Sequence, residues 1–150
     1  ALSKNNEAIL LVAPSDHCIP DTLAFHSAVK RGINHVSNGN IVTFGISPTH
    51  PETGFGYLEL GPDKLDNEGA SIVTRFIEKP KKQVAEQMLK ERNFVWNSGI
   101  FMFKAVDMIL AFEKLRPDIL ATVKNALETA SIDLDFNSDE SQAYTITGHR

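Results

Sequence analysis

Short continuous apolar runs alternate along the chain with stretches in which apolar residues recur every three or four positions, the mark of strands alternating with helices. Ala8-Ile9-Leu10-Leu11-Val12 is an unbroken apolar run closed by Pro14, which predicts a strand buried on both faces. Asp21 stands where it can cap a helix, and Phe25, Ala28, Val29, Ile33 and Val36 follow at the spacing of one apolar helical face. Asn38-Gly39-Asn40 supplies the turn chemistry that ends it. Residues 41–46 predict the next strand. Ser47 to Gly56 holds two prolines and two glycines and reads as a loop. Residues 57–60 and 72–77 then predict a strand pair around a polar connection.

Beyond Pro80 the pattern predicts a charged helix over about residues 82–92, a strand over 97–103 and a helix over 106–115. Pro117 suits the first turn of a last helix through Ile119, Leu120, Val123 and Leu127. Residues 133–150 are polar and irregular, as in a surface segment or frayed end. No repeat or low-complexity tract interrupts this order. It predicts an α/β fold with a mostly parallel, or mixed, sheet flanked by helices.

Composition narrows the function classes. A chain of 150 residues has the size of one ordinary domain, and 42% hydrophobic with 23% charged residues is the balance of a soluble globular protein. The net charge of −4 comes with no long basic block, which argues against a nucleic-acid surface. A single cysteine, Cys18, excludes an internal disulfide framework and a cysteine-rich zinc site and suits a reducing cytoplasm. It has no paired thiol, and no histidine lies at catalytic spacing from it. No stretch approaches the ~20 apolar residues of a membrane span, and residues 1–7 are unlike a signal peptide. A soluble cytoplasmic protein without membrane or nucleic-acid partners is expected; the oligomeric state, a homo-oligomer included, is left open.

The candidate chemistry lies in the middle of the chain. In Arg75-Phe76-Ile77-Glu78-Lys79-Pro80 an acid and a base end an apolar run. Pro80 stops the run and is expected to hold Lys79 extended. Trp96-Asn97-Ser98-Gly99 then opens a second apolar strand with amide and hydroxyl groups. Carboxylate, ammonium, amide and hydroxyl together are what a phosphorylated sugar requires. Each also has a plain reading: Glu78-Lys79 as a solvated strand edge, Asn97-Ser98 as a turn before a strand. Gly54 and Gly56 could let backbone approach a small ligand, with the Tyr57 ring over an apolar sugar face; equally, they could shape a hairpin turn. Asp16 follows the first strand and a proline, so its carboxylate emerges at the sheet's carboxyl edge, where a metal and phosphates would sit. An Asx-turn aspartate is the commoner case for such a residue alone. His17 reads as a loop histidine or a group behind a metal ligand. His26, His35, His50 and His149 show no metal-ligand spacing.

In combination these segments resemble the sugar-1-phosphate nucleotidyltransferases, most closely the bacterial mannose-1-phosphate guanylyltransferases. The matching pieces are Pro14-Ser15-Asp16-His17, Phe44-Gly45-Ile46, Pro51-Glu52-Thr53-Gly54-Phe55-Gly56-Tyr57, Phe76-Ile77-Glu78-Lys79-Pro80, Trp96-Asn97-Ser98-Gly99-Ile100-Phe101-Met102-Phe103 and Arg116-Pro117-Asp118-Ile119. They follow in register from about Ile9 to about Leu134. The resemblance implies a glycosyltransferase-A-like, Rossmann-like sheet and the reaction of GTP with mannose 1-phosphate to give GDP-mannose and pyrophosphate. It implies Mg²⁺ as the metal, with Asp16 as ligand. It implies Lys79 on the sugar phosphate, Glu78 and Asn97 on sugar hydroxyls with Ser98 assisting, and the Gly54, Gly56 and Tyr57 loop lining the sugar pocket. Phe55 stands where a tyrosine is frequent.

The family's glycine-rich nucleotide loop and its second metal-binding aspartate, in a Ser-x-Asp-Tyr-Ala-like segment, have no counterpart here. The chain is accordingly expected to be the sugar-binding half of a catalytic domain, incomplete at both ends and inactive alone. Base choice rests largely on the missing loop, so a uridylyl- or thymidylyltransferase acting on glucose 1-phosphate remains an alternative. So does a non-catalytic sugar-phosphate-binding or regulatory module.

Overall fold

The computed structural model describes residues 7–67 and 69–129. The chain divides into two compact units, Ala1–Leu110 and Ala111–Arg150. In chain order the elements are β1 (Ile9–Val12), α1 (Thr22–Ser37), β2 (Val42–Ile46), β3 (Gly56–Lys64), β4 (Ser71–Glu78), α2 (Lys82–Glu91), β5 (Phe94–Lys104), α3 (Ala105–Leu115) and α4 (Pro117–Thr129). The α/β reading of the sequence agrees with this order. Asp21 caps α1 by accepting the Ala24 N–H at 2.9 Å, and Gly39 leaves the helix at φ +83°.

The sheet itself departs from expectation. All four pairings among the described strands are antiparallel: β1 with β5, β2 with β5, β3 with β4, and β3 with β5. The expected parallel unit is only half present. With β5 between and antiparallel to both, β1 and β2 run in the same direction, joined through α1, but they are not neighbours. The long strand β5 is therefore the spine of the sheet.

Packing follows from that spine. Tyr57, Phe94 and Trp96 from the sheet meet Ala85 and Met88 of α2 in one buried cluster, with Ile77 against it. Helix α1 lies on β2 and β5 through Gly32: a Cβ there would stand 2.5 Å from Met102 Cε and 3.3 Å from Val42 Cγ1, so any larger residue would have to displace the end of the Met102 side chain. The inward stripe of α1 runs through Phe25, Ala28, Val29, Gly32 and Val36, whereas Ile33, expected on it, is 40% exposed. Strand β1 is not buried on both faces as its composition suggests. Ile9, Leu11 and Val12 are exposed, because β5 is the only described strand that pairs with it. In the second unit, Arg116 grips Asp118 through two bonds of 3.0 and 2.8 Å at the start of α4.

Candidate functional site

The strand registers place a notch beside the middle of β5. Trp96 pairs with both Ile46 of β2 and Tyr57 of β3, and Met102 with both Val42 of β2 and Leu11 of β1. A strand residue has one neighbour on each edge, so β1 and β3 share the edge opposite β2. On that edge β3 covers residues 94–96 and β1 covers 101–104, leaving 97–100 open between them. Val12, the last residue of β1, lies opposite Phe101, so the chain leaves β1 heading into the gap. The start of β3 faces it from the other side. Gly56 there pairs with Glu78, the last residue of β4. Three strand ends thus converge on residues 97–100.

The backbone within the gap is bulged. Thr43 and Gly45 of β2 stand two residues apart, yet their partners Phe101 and Asn97 stand four apart. Gly99 takes up the excess at φ +73°, a conformation glycine adopts at little cost. A Cβ on Gly99 would lie 3.4 Å from Pro14 Cγ, so the segment leaving β1 packs on this bulge and brings the Ser15-Asp16 turn beside it.

Asn97 is the best-fixed polar group in the gap. Its Oδ1 accepts from Thr43 Oγ1 at 3.0 Å and from the Gly99 N–H at 3.2 Å. That fixes the amide plane and leaves the Nδ2 donors for a ligand. Trp96 points into the α2-covered core, so Asn97, the next residue, faces the other way. Ser98 is buried, and its Oγ accepts the Ile100 N–H at 3.2 Å, a bond that shapes the bulge.

Glu78 and Lys79 close the gap from β4. Their side chains are 57% and 65% exposed and 3.7 Å apart, a contact worth at most about 1 kcal/mol. Both are readily turned to a ligand. Gly56 makes room for Glu78 and for the Phe76 ring beside it: a Cβ on it would meet Glu78 Oε2 at 3.0 Å and Phe76 Cζ at 2.9 Å. Lys79 is not extended, as its place before Pro80 suggests, but lies at φ +44°. Its N–H donates to Phe55 C=O at 3.2 Å, and that tertiary bond accompanies a conformation the local rule disfavours.

The loop over residues 47–55 lies on Trp96, with the His50 and Phe55 rings edge-on to the indole at 5.0 and 5.3 Å. Tyr57 is fully buried and its hydroxyl donates to Glu52 C=O at 2.8 Å. Its ring is part of the core rather than a cover for a sugar; the exposed aromatic here is Phe55. Glu52, which sequence reasoning passed over, accepts the Thr53 and Gly54 N–H groups on one oxygen, both at 2.8 Å. The Gly54 bond first, then His50 and Thr53, holds its carboxyl below the usual carboxylate range. A glutamate just ahead of two free N–H groups in a proline-bounded loop was the available signal.

Asp16 is exposed, in a turn, and makes no hydrogen bond or ion pair among the described residues, so its side chain does not close an Asx-turn. No group of three or more His, Cys, Asp or Glu side chains gathers among those residues. A lone free carboxylate fits Mg²⁺, which takes one or two protein carboxylates and fills its remaining positions with water and phosphate oxygens. No described helix is long and apolar enough to cross a membrane.

Comparisons with known proteins bear on the same segments. The chain is 40% identical over 143 residues to mannose-1-phosphate guanylyltransferase 2 of Escherichia coli O157:H7, covering 91% of this chain and 30% of that protein. It is 39% identical over 132 residues to mannose-1-phosphate guanylyltransferase RfbM of Salmonella typhimurium, covering 88% and 27%. The chain thus spans about 30% of the length of these relatives. Among solved structures it superposes on a Helicobacter pylori protein described as mannose-6-phosphate isomerase, with TM-score 0.75, 39% identity and coverage of 87% of this chain and 48% of that one. A Thermus thermophilus protein described as mannose-1-phosphate geranyltransferase gives 0.74 and 32%, covering 87% and 38%. The family model for nucleotidyl transferases matches residues 1–142, nearly the whole length, and the chain belongs to that family.

Proposed function

We propose that this chain is the sugar-phosphate-binding part of a cytoplasmic mannose-1-phosphate guanylyltransferase, which converts GTP and mannose 1-phosphate to GDP-mannose and pyrophosphate. The observation that carries the reading is the notch on β5. It gathers an oriented amide with an exposed carboxylate and an exposed ammonium, themselves 3.7 Å apart, in a family member whose relatives carry that name. Asn97 and Glu78 bind sugar hydroxyls, and the Gly54–Gly56 backbone lies close against the ring. Lys79 meets the phosphate as a compact cation that follows its charge. Ser98 and Tyr57 act from behind, shaping the bulge and the loop.

In the reaction a phosphate oxygen of the sugar attacks the α-phosphorus of GTP in line, the new P–O bond forms, and the bond to the β-phosphate oxygen breaks to release pyrophosphate. Such transfer needs positioning and charge neutralisation more than covalent help. Lys79 and Asn97 hold the nucleophile; Asp16 would hold Mg²⁺, whose charge stabilises the nucleotide phosphates when bound.

The test is calorimetry on the 150-residue chain with mannose 1-phosphate, glucose 1-phosphate and mannose. The expected order is mannose 1-phosphate tightest, with saturation at or below about 1 mM, the upper end of ordinary KM values. Equal or tighter binding of glucose 1-phosphate, or no binding of any sugar phosphate, contradicts it.

A further inference from the structure

Glu52 engages four groups at once. Its Oε1 accepts the N–H groups of Thr53 and Gly54, its Oε2 lies 3.3 Å from His50 Nε2, and its C=O accepts the hydroxyl of Tyr57. Each tie leads to a fixed point. Tyr57 belongs to the buried cluster, and His50 is held by Thr49 Oγ1 at 3.0 Å and by the edge-on contact with Trp96. The loop folded in this way presents Phe55 C=O to the Lys79 N–H and lays Gly56 beneath the Glu78 carboxylate. A left-handed lysine persists only where its surroundings hold it, and this backbone bond reaches it from the loop.

We propose that Glu52 is a positioning residue. Its carboxylate folds residues 49–56, and the loop in turn holds the Glu78-Lys79 corner, so that removing the carboxylate loosens the grip on a sugar phosphate that Glu52 itself does not touch. The ligand in this statement rests on the function proposed above; the coupling between Glu52 and Lys79 does not. Because a single oxygen serves both N–H groups, the amide oxygen of a glutamine can replace it, with the amide nitrogen facing His50 in place of the second oxygen. An alanine replaces nothing.

The experiment measures amide hydrogen exchange and mannose 1-phosphate affinity on the full 150-residue chain and on Glu52→Ala and Glu52→Gln. In Glu52→Ala, protection of the Thr53, Gly54 and Lys79 amides should each fall by about tenfold or more, the change that goes with losing one hydrogen bond. The α1 amides should be unaffected, and affinity for mannose 1-phosphate should fall by a similar factor. Glu52→Gln should stay within about threefold of wild type in both readouts, the small effect expected where the hydrogen-bond acceptor is kept. A residue with only a local structural role would leave the Lys79 amide unchanged, and that result in Glu52→Ala overturns the proposal. If Glu52→Ala exchanges throughout the chain, Glu52→Asp decides, its shorter side chain withdrawing the carboxylate from the two N–H groups: loss of Lys79 protection together with that of Thr53 and Gly54 upholds the coupling, and Lys79 protection kept while theirs is lost refutes it. Should wild type bind no mannose 1-phosphate, the proposed function falls, while Lys79 exchange still decides the role of Glu52.

Discussion

Gly56→Ala separates a binding role for the Glu78 corner from a structural one. The added methyl would stand 3.0 Å from Glu78 Oε2 and 2.9 Å from Phe76 Cζ, while ordinary contact begins at 3.4 Å. The carboxylate must therefore retreat by about 0.4 Å and the ring tip by about 0.5 Å, the differences between those distances. Both side chains are half exposed and can give way. A glycine inside a strand is itself unfavourable by roughly 0.5–1 kcal/mol relative to alanine. The steric cost and the strand preference nearly offset, so unfolding free energy should change by less than about 1 kcal/mol. Binding should not escape as lightly. A carboxylate bonded to a hydroxyl contributes roughly 1.5–3 kcal/mol, and a displacement of this size forfeits about half or more. Affinity for mannose 1-phosphate should then fall by about four- to twelvefold or more. Calorimetry gives the affinity and urea unfolding the stability. Unchanged affinity, or an affinity loss tracked by an equal loss of stability, refutes the placement of Glu78 on the ligand.

Lys79→Ala should weaken mannose 1-phosphate by about tenfold or more, as expected for a charge-assisted phosphate contact, and leave binding of mannose alone within error; equal losses for both would remove Lys79 from the phosphate. Asp16→Ala should change unfolding free energy by less than about 0.5 kcal/mol, because no described residue bonds its carboxylate; a loss above about 1 kcal/mol in urea would mark it as a turn former. The carboxyl of Glu52 sits below its ordinary value of 4.5, chiefly through the Gly54 N–H. Whatever stability wild type holds over Glu52→Gln from this charge is fully present above that ordinary value and is lost as pH falls through the lower folded value. Urea unfolding from neutral pH down to strongly acid solution should show this convergence, and a gap that widens toward acid would contradict it.

Local order was written plainly in the sequence, and long-range order was not. Helices follow from period and punctuation, with Asp21 and Gly39 bounding α1 and Pro117 opening α4, but two strands outrun it: β3 continues to Lys64 through the stretch read as a connection, and β5 begins at Phe94, ahead of the expected start at Asn97. Nothing local says that β5, last of the described strands, slots between β1 and β2 and turns an expected parallel unit into antiparallel pairs. The exposure of β1 has the same origin, since composition reports what a strand could bury and not what covers it. At the site, Asn97, Glu78 and Lys79 were legible as a polar set, and the notch around Asn97 emerges only from the registers. Lys79 shows a local rule overridden, with the preference imposed by Pro80 yielding beside a bond from Phe55. Tyr57 shows the reverse error. A tyrosine after Gly-Phe-Gly looks like a surface aromatic, but its hydroxyl has a partner, Glu52 C=O, that satisfies it within the core.

The open stretch of β5 and the strand ends around it are proposed to form one sugar-phosphate site. Amide chemical shifts of the isotopically labelled 150-residue chain, followed as mannose 1-phosphate is added, test it most directly. One saturable set of changes is expected at Gly54 to Gly56, at Glu78 and Lys79, and at Asn97 to Gly99, all fitted by a single Kd. The cavity between α1 and the β3–β4 hairpin, lined by Arg31, His35 and Asp66, should stay unshifted. Saturable changes centred on that cavity, with Asn97 and Lys79 unmoved, would contradict it.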